Sequence, residues 1–122
     1  MDASRLRTPF LIQGVYAIIV GVFLLFPALA SAIFAYPMKD AAVSSGWGAS
    51  LTSIGLVALV AASDPAKYAD LAWVFSVALL LGAVDLGYFW YAGSFVARQA
   101  LVPVILNIVL AIWIWLTRPK GA

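Results

Sequence analysis

The chain has 122 residues, of which 66% are hydrophobic and only 10% charged, with seven basic and five acidic side chains giving a net charge of +2. A soluble domain carries about a quarter of its residues as charges, so this composition excludes one and points to a bilayer as the solvent. With neither Cys nor His, the chain has no thiol redox chemistry, no bis-histidine haem, no histidine acid–base catalysis and no usual zinc site.

Four apolar runs fill the length. The first, residues 10–26 (FLIQGVYAIIVGVFLLF), stops at Pro27. Arg5 and Arg7 before it, and the small residues Ala28 to Ala32 after it, imitate a cleavable secretory signal. Its apolar stretch is longer than a usual signal core and carries Gln13 and Tyr16, which favours retention as a span. The connection that follows, residues 28–45, is the longest. Its IFAYPM segment, residues 33–38, is apolar enough to lie in the interface as a turn or short helix, or to act as a lid over a cavity.

The second run, residues 47–62 (WGASLTSIGLVALVAA), is the shortest and most polar. A span of residues 43–62, packed inside a bundle, is expected. It ends at the turn signal Ser63-Asp64-Pro65. The third span, residues 71–91, ends at Ala92-Gly93-Ser94. The fourth, residues 97–116, carries Pro103 in its first turns, where a missing N–H does least harm. Four spans of about 20 residues suit the length a helix needs to cross about 30 Å of hydrocarbon, and each run is too long and too continuously apolar for a barrel strand. The expected fold is an all-α, four-helix transmembrane bundle forming a single domain over residues 1–122.

Arg5, Arg7, Lys67, Arg118 and Lys120 fall on one side of this arrangement, and Lys39 and Arg98 on the other. The positive-inside rule then puts both termini in the cytoplasm, in a bacterial-type inner membrane. Tyr36, Trp47, Tyr68, Trp73, Trp90, Tyr91, Trp113 and Trp115 fall near span ends, where interfacial aromatics belong. The net charge reads as topology, not nucleic-acid binding.

Gln13, Ser76, Asp85 and Asn107 stand out among the polar side chains inside the runs. Asp85, the one formal charge well inside a run, should face the bundle or a cavity and have a partner. It lies about 9 Å below the end of its span. Arg98, just beyond the next turn, is the expected partner, with Asn107 in support. In the alternative, a protonatable Asp85 couples to ligand or proton movement, and Asp85, Arg98, Asn107 and Gln13 form one polar cluster. Gly48 and Gly55, seven apart, and the small pairs Ala72/Ser76, Ala78/Gly82 and Ala58/Ala62 mark close helix contacts. Gly82, one turn before Asp85, would admit a neighbouring backbone. No phosphate loop, nucleophile elbow or metal-binding carboxylate cluster is present.

The RTPFLIQGVY opening, the IGLVALVAASDPAKYADLAWVF middle, AVDLGYFWYAG and the closing LNIVLAIWIWLTRP resemble the small four-helix membrane proteins of the DoxX-like superfamily, including its BphX-like members. The resemblance covers most of the chain in layout. It implies an accessory or redox-associated membrane protein and carries over no catalytic residue. Small multidrug resistance transporters are similar in length and span count but rely on a glutamate in the first helix, where this chain has Gln13.

The sequence therefore leads to a non-catalytic accessory or structural subunit, with no cofactor of its own. Its expected partners are lipid and other membrane subunits or a second copy. The alternative is a small transporter or binder of hydrophobic ligands built on Asp85, and a third reading is a quinone-associated redox subunit.

Overall fold

The computed structural model describes residues 3–119, so Lys120 lies outside the described residues. A 3-10 turn, Ala3–Leu6, leads into α1 (Arg7–Leu25). A short α2 (Pro27–Phe34) follows, then α3 (Ala41–Ser63), α4 (Leu71–Tyr91) and α5 (Ala97–Thr117). Among the described residues there is no strand, and α1, α3, α4 and α5 are long and apolar enough to cross a membrane. The described chain begins and ends at one end of the bundle, called here the terminal end. The other, the loop end, carries α2 and the α4–α5 turn.

Local chemistry sets the helix limits. Pro27 sits at the first position of α2, where its fixed φ suits the helix and its missing N–H costs nothing. Asp40 caps α3 by accepting a hydrogen bond from the Val43 N–H at 3.1 Å, satisfying one of the orphan donors at a helix start. Asp64 does the same for the α3–α4 turn, accepting from the Lys67 N–H at 3.3 Å. At the start of α5 the Gln99 side chain reaches back to accept from the Val96 N–H at 2.6 Å.

The helices form two close pairs. In the first, α1 and α3 run antiparallel with their backbones nearly touching. Glycines make this possible: a Cβ built on Gly21 would lie 2.8 Å from the Gly48 carbonyl oxygen, and one on Gly48 would lie 2.5 Å from the Gly21 oxygen. Gly14 and Gly55 repeat the arrangement two turns away, at 3.0 and 2.8 Å. In lipid no hydrophobic force draws helices together, so close packing and interhelical hydrogen bonds must do so. The Ser44 hydroxyl donates to the Leu24 oxygen at 2.9 Å, and Arg7 Nε donates to the Ala62 oxygen at 3.2 Å. The second span, expected to pack inside the bundle, is enclosed to the same degree as α4 and α5. α1 is the most enclosed of the four, because glycine and alanine confine the buried face of α3 to one stripe and leave Leu56, Val57 and Val60 outside.

The second pair is α4 with α5. The Ser76 hydroxyl donates to the Ala111 oxygen at 3.0 Å, and Asn107 Nδ2 donates to the Leu79 oxygen at 3.2 Å. Between the pairs, α1 meets α5 sparingly and α3 scarcely meets α4. The pairs join at the terminal end, where Leu6, Phe10, Phe75, Leu110 and Ile114 interlock over Ala58, Ala61 and Ala72. Phe10 and Phe75 meet edge to face at 5.3 Å.

Candidate functional site

Toward the loop end the two pairs diverge around a cavity of about 350 Å³. Every long helix contributes to its wall: Val20 from α1, Leu51 and Ile54 from α3, Leu79 and Leu86 from α4, Pro103 from α5. Phe34 at the end of α2, with Tyr36 and Met38 after it, also lines the cavity. The first connection thus covers the loop end of the cavity. Two contacts tie this cover to α5: Gln99 Nε2 donates to the Ala35 oxygen at 3.0 Å, and the Tyr36 and Phe95 rings lie 5.1 Å apart. Ala35 adopts the left-handed conformation, with φ 52°, which turns the chain out of α2 so that Tyr36 reaches this ring.

Gln13, Asp85 and Asn107 all line this cavity. Gln13 and Asn107 mark its floor. Both are buried, at 3% and 8% exposure, and each keeps an amide oxygen, Oε1 and Oδ1, without a partner. An unsatisfied buried acceptor costs about 1–3 kcal/mol, so the floor favours a donor. Asn107 is held in orientation by its bond to Leu79, and Gly82 makes room for it: a Cβ at position 82 would stand 2.7 Å from Asn107 Nδ2. The neighbour that Gly82 admits is this amide, not a backbone.

Asp85 lies six residues beyond Leu79, so it stands about 9 Å nearer the loop end. It is exposed in the isolated chain, at the cavity's margin. Among the described residues no ion pair joins it to Arg98, and Arg98 is exposed and absent from the cavity wall. The expected pairing of Asp85 with Arg98 is therefore not formed. Arg98 lies exposed in the first turn of α5 while Asp85 stands at the cavity's margin, so nearness along the chain does not bring the two side chains together.

The other predicted packing residues lie elsewhere. Ser76 belongs to the filled half, bonded across to α5, while Gly48 and Gly55 form the α3 side of the glycine seam. Gly14 and Gly21 carry the same seven-residue signal in the first run and complete the seam from α1. Tyr16, Phe95 and Gln99 also belong to the site, though no motif marks them. The arrangement offers hydrogen-bond acceptors and one carboxylate within apolar and aromatic walls, which are the elements of small-molecule recognition. Comparison with family models, with characterised proteins and with solved structures finds no match to this chain.

Proposed function

We propose that this protein is a non-catalytic binder of a small, largely apolar ligand, taken from the bilayer into the cavity between its two helix pairs. The observation that carries this reading is the cavity itself: about 350 Å³, within the size range of ligand sites, and walled by residues from all four long helices. The sparse contact between α3 and α4 supports a side route from the lipid. The basic residues at the terminal end favour an inner membrane of bacterial type with that end in the cytoplasm. The DoxX-like resemblance carries no site residue, so the reading rests on the cavity.

An accessory role in a larger membrane assembly is the second reading. It is favoured by the exposed carboxylate of Asp85, which a basic side chain of a partner subunit would neutralise. Native mass spectrometry of protein gently extracted from its host membrane separates the two. Ligand binding predicts a single chain or small homo-oligomer carrying a small molecule, and loss of that molecule when Ala78→Trp fills the cavity. Recovery only in fixed stoichiometry with other subunits, with no small molecule, supports the accessory reading instead.

A further inference from the structure

We infer that the ligand of this cavity is a single-chain lipophilic ammonium, with its cationic head beside Asp85 among the aromatic rings near the loop end. The inference rests on the ligand-binding reading above and names the chemical class.

Asp85 is the one charged side chain among the described residues lining the cavity, and neither Lys39 nor Arg98 lines it. An anion at membrane depth is costly without a counter-charge, and among the described residues this one has none. The same end of the cavity is lined by Phe34, Tyr36, Trp47 and Phe95. Aromatic faces attract a weakly hydrated cation such as a substituted ammonium, and do so more strongly once it is desolvated. A carboxylate with several rings around one space is complementary to such a head, whereas a phosphate or carboxylate ligand would meet Asp85 as a like charge. Below the head, the wall of Val20, Leu51, Ile54 and Leu79 suits one hydrocarbon or aryl body.

The size of the space argues for a free amphiphile over a membrane phospholipid. About 350 Å³ is at the small end for ligand pockets and leaves no room for two acyl chains. The phosphate beside the choline or ethanolamine of a phospholipid would also approach Asp85 unfavourably.

The test is a calorimetric titration of the full chain in non-ionic micelles with octyltrimethylammonium, and with the neutral isostere in which carbon replaces its nitrogen. The cation should bind at least about tenfold more tightly than the isostere, equivalent to about 1.4 kcal/mol. Asp85→Asn should bring the two within about twofold while leaving the isostere unchanged. As a second variant, Trp47→Leu should weaken the cation several-fold and the isostere little, so the inference stays testable if one variant misfolds. Equal binding of both probes to the unmodified protein would overturn the ammonium assignment and leave the ligand-binding reading standing. Binding of neither would overturn both. Displacement of the cation by phosphatidylcholine would overturn the choice of a free amphiphile.

Discussion

At the terminal end, the four long helices meet through large side chains set over small ones, with Phe10, Phe75, Leu110 and Ile114 filling the space above Ala58, Ala61 and Ala72. At the loop end the same helices part around a cavity with Gln13 and Asn107 at its floor and Asp85 at its margin. The difference follows from where the small residues point. Gly21 and Gly48 face each other, so they draw α1 onto α3 and provide no bulk to span the distance to α4 and α5. Where alanine faces a large partner on the other pair, the bundle closes; where glycine faces glycine within a pair, closure stays within that pair. One seam therefore binds two helices tightly and helps to open the space beside them.

The comparison is most directly broken at the seam. Gly48→Leu would drive a side chain into the backbone of Gly21 to Leu25, whose atoms stand as near as 2.5 Å to a Cβ at that position. A loss of at least about 3 kcal/mol is expected, since overpacking that backbone cannot relieve lies at the upper end of its usual cost. Reversible unfolding in mixed micelles would measure it, and a loss below about 1 kcal/mol would mean that the seam is not as tight as described.

The filled half is tested by Ile114→Ala, which removes a fully buried side chain. A cost of about 2–3 kcal/mol is expected, toward the low end of such truncations, because in lipid the lost packing counts and the transfer from water does not. Leu51→Ala in the cavity wall provides the control and should cost less than about 1 kcal/mol, since no packed neighbour fills the space it faces. Equal costs at the two positions would contradict the division into a filled half and an open one.

Smaller effects refine the picture. Ser76→Ala should cost about 0.5–1.5 kcal/mol by removing the hydrogen bond to α5. Asn107→Leu should be near neutral for stability, within about 1 kcal/mol, because it removes one hydrogen bond together with one unsatisfied acceptor. The same variant should alter ligand binding at the cavity floor, so a large stability loss with unchanged binding would assign Asn107 a purely structural role.

Much of the scaffold is legible in the chain itself. The four apolar runs are helices because lipid leaves the backbone no other way to pair its groups, and the turn chemistry at Pro27, Asp64 and Gly93 marks where they stop. The spacing of Gly48 and Gly55 signals close contact, and the matching spacing of Gly14 and Gly21 was equally readable as its complement. The site was legible only in its ingredients. Gln13, Asp85 and Asn107 stand out as polar residues in apolar runs, but the sequence does not say that they line one cavity, or that Arg98 stays outside it.

What the sequence determined alone is the number of membrane-spanning helices, their approximate extents and the small-residue stripe on which two of them close, since these depend on local hydrogen bonding and on side-chain size along one helix. What only the tertiary structure decided is the pairing of α1 with α3 and of α4 with α5, the cavity between the pairs, the covering role of residues 34–38, and the separation of Asp85 from Arg98. These depend on how far each helix turns about its axis when it packs. In a chain whose helix faces are nearly uniform in hydropathy, that rotation is set by the fit of glycine against backbone and of ring against alanine across different helices.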